Sequence, residues 1–171
     1  MKNVNTVSEI KIDRRPEKPY LGIRVQTPFR GMFKIVDQLR KELAIWLKQK
    51  DLTPTGPFFL RYHVIDMEGE MDIEYGVLGV DSAPGDGRVT AGVIPAGRYA
   101  SLIYTGSGMN GNRTLIEWAK TNNIPWDRWD DPKGDAFRCR CETYLTDPKV
   151  EHRKTKWEIE VAIKLADDYP G

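Results

Sequence analysis

Met71-Asp72-Ile73-Glu74-Tyr75-Gly76-Val77 and Trp157-Glu158-Ile159-Glu160-Val161-Ala162-Ile163 are two endings of one pattern. Each runs from a bulky apolar residue through an acid, Ile and Glu into small or β-branched residues. Upstream lies a second echo: Pro16 and Tyr20 stand four apart, and so do Pro95 and Tyr99. Two echoes in the same order predict one folding unit written twice. Two copies of a small unit pack about a pseudo-two-fold axis, and the seam between them suits a ligand.

The elements between the echoes repeat as well. Ile10–Arg14 and Tyr20–Thr27 read as strand on either side of a Pro16/Pro19 kink, and Thr27-Pro28 is a helix-start signal. Met32, Val36, Leu39, Leu43 and Trp46 recur at helical spacing, with charged residues between them, which predicts a core-facing helix. Phe58–Ile65 and Met71–Val80 read as strands about a turn at 67–70. The strongest break follows, Ser82-Ala83-Pro84-Gly85-Asp86-Gly87. Beyond it, Arg88–Ile94 and Gly97–Thr105 predict strand, 106–112 a glycine loop and Arg113–Thr121 a shorter helix. A long loop is expected over 122–135, then strands at Phe137–Thr146 and Lys156–Leu165. The predicted fold is α+β, two β-α-β-β units forming a single domain over 1–171. Its halves span about 10–81 and 88–166, joined by a linker at 82–87.

Composition removes several function classes. Forty per cent of the 171 residues are apolar, enough for one compact domain. Lys and Arg number 26 against 25 Asp and Glu, and this near-neutral balance lacks the basic excess of a nucleic-acid binder. No apolar run approaches a membrane span and the N-terminus has no signal-peptide core, so a cytoplasmic protein is expected. Cys139 and Cys141 alternate on a strand and read as reduced and packed. Two histidines leave little room for zinc, and the aspartates at 127, 130, 131 and 135 are out of register for an EF-hand. Gly106-Ser107-Gly108-Met109-Asn110-Gly111 lacks the Gly-Lys-Ser/Thr ending of a phosphate loop. No metal and no cofactor is expected.

On the strand 137–146, alternation puts Arg140, Glu142 and Tyr144 on one face and Cys139, Cys141, Thr143 and Leu145 on the other. The second face is small and apolar, so it is the one expected against the helix. Matching Tyr62 to Tyr144 sets Leu60 where the second unit has Glu142. A lone acid among aromatics costs desolvation energy unless paired, and suits either meeting a cation or moving a proton. The bland alternative is a salt bridge from Glu142 to Arg140 or Arg138. Trp126 and Trp129, in the long loop, form either a lid or a simple anchor. Phe58, Tyr62, Tyr75, Tyr104 and Trp157 lie on strands, as core or as cleft wall.

Four segments resemble the GyrI-like family of small-molecule-binding domains, the fold of the multidrug-sensing effector domain in BmrR-type regulators. They are Asp72-Ile73-Glu74-Tyr75-Gly76-Val77, Ile94-Pro95-Ala96-Gly97-Arg98-Tyr99-Ala100, Ile116-Glu117-Trp118-Ala119, and Cys141-Glu142-Thr143-Tyr144-Leu145-Thr146-Asp147-Pro148 followed by Trp157-Glu158-Ile159-Glu160-Val161. The resemblance implies two β-α-β-β units about a pseudo-two-fold axis in an antiparallel sheet. It implies helices on one side and a ligand cleft on the other. The family's cleft glutamate precedes a Tyr-x-x-Asp-Pro segment, and Glu142 holds that position here. A recognisable domain starting near residue 10 points to a stand-alone member without a DNA-binding segment.

These readings converge on a protein that binds flat, apolar or cationic aromatic compounds. Glu142 is its charged residue, and Phe58, Leu60, Tyr62, Tyr104, Trp126, Trp129, Tyr144 and Trp157 complete the candidate ligand-binding set. The resemblance leaves two alternatives. One is a hydrolase that detoxifies cyclopropane-bearing alkylators, with Glu142 as its catalytic acid–base group. The other is a protein that partners DNA gyrase or a regulator.

Overall fold

The computed structural model describes residues 5–80 and 84–170. Part of the expected linker, 82–83, falls outside them, while Asp86 bridges to Val89 at its far end. The strands are β1 (Thr6–Val7), β2 (Lys11–Arg15), β3 (Lys18–Pro28), β4 (Phe58–Ile65), β5 (Glu70–Leu78), β6 (Val89–Ile94), β7 (Gly97–Thr105), β8 (Arg128–Asp131), β9 (Gly134–Phe137), β10 (Arg140–Tyr144) and β11 (Ile159–Lys164). The helices are α1 (Met32–Gln49) and α2 (Gly108–Thr121). All eleven strands join one sheet, with central order β7-β11-β10-β4-β5-β3.

Register demonstrates the repeat. Glu74 of β5 stands opposite Arg61 of β4 and Arg24 of β3. Glu160 of β11 stands opposite Thr143 of β10 and Ile103 of β7. One equivalence satisfies every pair, and it matches Tyr62 with Tyr144, Tyr20 with Tyr99 and Leu60 with Glu142. Leu60 and Glu142 are also direct partners across β4 and β10. A pair of strand neighbours that are each other's counterparts must straddle the symmetry axis, so the pseudo-two-fold axis passes between Leu60 and Glu142.

The opening strands are exchanged between the halves. β2 pairs with β7, and β6 pairs with β3. The exchanged segments fold behind the sheet. The Arg61 guanidinium donates to the Val93 carbonyl at 2.9 Å, and the Tyr99 hydroxyl donates to the Pro95 carbonyl at 2.7 Å. Between sheet and segments lies a core of Tyr20, Phe59, Tyr99, Cys139, Cys141 and Ala162. The cysteines are free and buried, with sulfurs 3.7 Å apart. Hydrogen bonding from Cys141 draws the Cys139 thiol down to about 7.

Both helices cover the other face. Met71, Ile73, Tyr75 and Val77 alternate toward α1, which buries Met32, Val36, Leu39, Leu43 and Leu47 against them. Each such side chain contributes about 1.5–3 kcal/mol of transfer free energy. The stripe ends on Leu47 instead of Trp46, because four-residue steps keep Leu47 in line with Leu43. Leu115 and Ala119 of α2 meet Leu102, Val161 and Ile163. The Cys139/Cys141 face therefore packs against the exchanged segments and not against a helix, contrary to the sequence expectation. The apolar strand face needed a cover, and a distant part of the chain supplies it.

Two further differences are local. α2 begins at Gly108, inside the expected glycine loop. The Ser107 side chain accepts from the Asn110 amide at 3.1 Å, an N-cap that lets the helix start early. The expected long loop contains the β8–β9 hairpin, which turns at Asp131-Pro132-Lys133-Gly134. Among the described residues, no helix is long and apolar enough to cross a membrane.

Candidate functional site

A cleft of about 1550 Å³ opens between α1 and α2, with β4, β5 and β10 as its floor. It lies on the helix side of the sheet, where the sequence reading placed it on the opposite side. The exchanged segments fill the opposite side, whereas the two helices diverge over the sheet and leave the axis uncovered.

Glu142 stands at the centre of the floor with 8% of its surface exposed. Tyr62 of β4 donates a hydrogen bond to Oε1 and Tyr104 of β7 donates one to Oε2. Burial, and then the carboxylate's charge, push both phenols well above their ordinary range, so both remain protonated donors at neutral pH. No lysine, arginine or histidine among the described residues pairs with Glu142. Neither Arg140 nor Arg138 makes the salt bridge that offered the bland reading. Arg138 lies over the Trp129 ring at 4.9 Å and reaches toward Asp127 at 3.7 Å.

Aromatic rings run beside this carboxylate. Phe58 stacks on Tyr75 at 5.9 Å, Tyr75 meets Tyr144 at 6.2 Å, and Tyr144 meets Trp157 edge-on at 6.1 Å. Trp157 is fixed by its indole N–H, which donates to the Glu151 carbonyl at 2.6 Å. Desolvation keeps the Tyr75 and Tyr144 phenols neutral as well. The arrangement is a negative centre in an aromatic wall, which matches the electrostatics of a cation carried on apolar groups.

Six of the sequence-predicted residues meet at this cleft: Phe58, Tyr62, Tyr104, Glu142, Tyr144 and Trp157. Leu60 does not line it; it sits on β4 directly across from Glu142 and is fully buried in the core that packs against α1. Trp126 and Trp129 form no lid. Trp126 lines a separate cavity of about 790 Å³ beneath α2, and Trp129 lies on the exposed hairpin. The hairpin pairs through β9 with β4, which holds both tryptophans away from the axis. Sequence reasoning missed the helix walls, Val36 and Arg40 of α1 and Asn112 and Ile116 of α2. The face of α2 was obscured by its early start. Among the described residues no group of three or more His, Cys, Asp or Glu side chains is placed to hold a metal ion.

The family described as "GyrI-like small molecule binding domain" matches residues 8–166. No curated protein matches the chain. EcmrR, solved in a complex with DNA, aligns with a TM-score of 0.70 and 20% identity, over 93% of this chain and 57% of that one. This chain thus spans a little over half the length of that relative. SAV2435, solved bound to tetraphenylphosphonium, aligns at 0.62 and 10% identity, over 92% of this chain and 94% of that one. A structure described as a hydrolase from Listeria innocua aligns at 0.61 and 13% identity, covering 93% and 92%. At these identities the solved structures demonstrate a shared fold.

Proposed function

The chain belongs to the GyrI-like small-molecule-binding family, and from that premise we propose that its cleft binds aromatic cations with Glu142 as the fixed counter-charge. One observation carries this reading. Glu142 is buried, accepts a tyrosine hydroxyl on each oxygen, and has no cationic side chain paired with it. A buried carboxylate without an ion partner costs several kcal/mol of desolvation. A cationic ligand offsets that cost, and the row from Phe58 to Trp157 gives it contact area. Cation–aromatic contacts are worth about 0.5–2 kcal/mol each, so a few of them suit micromolar, permissive binding. The tetraphenylphosphonium bound to SAV2435 is a ligand of this kind.

The hydrolase alternative gives Glu142 a proton to move. Its geometry suits that role less well. Both oxygens already accept hydrogen bonds from tyrosine hydroxyls, which leaves fewer acceptor sites for a substrate proton or a positioned water.

Calorimetric titration with tetraphenylphosphonium, on native protein and Glu142→Gln, separates the readings. Saturable binding that weakens about tenfold or more in the variant supports the cation site. A parallel assay follows hydrolysis of a cyclopropane-bearing alkylator. Turnover that Glu142→Gln abolishes, with binding unchanged, would instead establish the hydrolase.

A further inference from the structure

Arg140 is the one charged residue of the cleft floor that cation binding leaves unused. It stands two positions before Glu142 on β10, so the two side chains leave the same face about 7 Å apart at their Cα atoms. No carboxylate among the described residues pairs with it. Asp135, the acid that shares its two cavities, is held by Arg128. One Nη2 hydrogen bond reaches the Asn112 side chain at 2.9 Å, the guanidinium lies 4.8 Å from the Phe137 ring centre, and Nε is buried without a partner. Burial pulls this guanidinium below its ordinary range.

A buried donor left without a partner is costly, and a ligand that completes it offsets that cost. Arg140 lines both the main cleft and the smaller cavity beneath α2, so it stands at the junction of the two. A planar guanidinium fork matches a carboxylate with two parallel hydrogen bonds. Resting on the cation reading of Glu142, we propose that Arg140 forms an anion subsite in the same cleft, so that the preferred ligands are zwitterions: an aromatic cation carrying a carboxylate on a short tether. The cation lies at Glu142 beside the tyrosines. The carboxylate reaches past Asn112 toward the α2 cavity.

The test uses two probes that differ by one charge, carboxypropyl-triphenylphosphonium and its methyl ester. Native protein should bind the free carboxylate about tenfold more tightly than the ester, as expected for a charge-assisted bidentate contact. Arg140→Met should erase that preference and leave ester affinity within about twofold, while Arg140→Lys should restore part of it. Equal binding of the two probes by native protein would overturn the inference, as would a preference that survives in Arg140→Met. Ester binding that ignores Glu142→Gln, or no binding of either probe, contradicts the cation reading itself and the subsite with it.

Discussion

Glu142 is held by two hydroxyls that arrive from different halves of the chain, Tyr62 on β4 and Tyr104 on β7. Removing either leaves one buried carboxylate oxygen without its donor. Tyr62→Phe and Tyr104→Phe should each cost about 1–3 kcal/mol in urea unfolding. Each should weaken tetraphenylphosphonium binding less than Glu142→Gln does. On the opposite face Glu74 supplies a pH-dependent term. Desolvation raises its pKa, but hydrogen bonds from His63 at 2.8 Å and Tyr20 at 2.7 Å outweigh it and hold the group below the ordinary carboxylate range. A depressed native pKa gives stability that is present above the unfolded value, near ~4.3, and is lost as pH falls through the native one. Glu74→Gln should therefore lower stability at neutral pH and flatten its fall below about pH 4.5, as measured by urea midpoints across that range. At this scale the sequence showed which residues share a face, and so it singled out Glu142. It did not show that Arg140 lacks an ion pair, because alternation orders side chains along a strand and is silent about what stands across from them.

α2 controls the cleft through its contact with β7. A Cβ on Gly111 would lie 2.6 Å from Cδ1 of Tyr104, the tyrosine that donates to Glu142. Ala is worth about 1 kcal/mol over Gly in a helix interior, yet overpacking a tight contact costs about 1–3 kcal/mol. Gly111→Ala should therefore be net destabilising and should weaken cation binding by displacing Tyr104. A more stable variant with native affinity would show that the contact relaxes freely. The same glycines explain why the start of α2 was hard to read: residues chosen for close approach look like a loop in sequence. The β8–β9 hairpin was hidden for another reason. Its turn residues were visible, but β9 is placed by pairing with β4, a contact far away in the chain.

Across the whole molecule, the repeat was legible because it is written in order and spacing, and the register of both halves obeys it. The side of the sheet that carries the cleft was not legible, because it depends on the exchange of β2 and β6 between halves. Near-symmetry also makes the site's asymmetry testable. The counterparts of Tyr62 and Tyr104 about the axis are Tyr144 and Val25. Exchanging the central pair, Leu60→Glu with Glu142→Leu, moves the carboxylate to a position with one tyrosine in place of two. Because position 60 is fully buried and does not line the cleft, the exchanged protein should be less stable than native and bind tetraphenylphosphonium no better than Glu142→Leu alone. The most direct measurement is the charge preference itself, from titrating native protein and Glu142→Gln with tetraphenylphosphonium and with neutral triphenylphosphine oxide. Native protein should prefer the cation by about tenfold or more, and Glu142→Gln should lose that preference while its affinity for the neutral compound stays within about twofold. A cation preference that is the same in both proteins would contradict a binding role for Glu142.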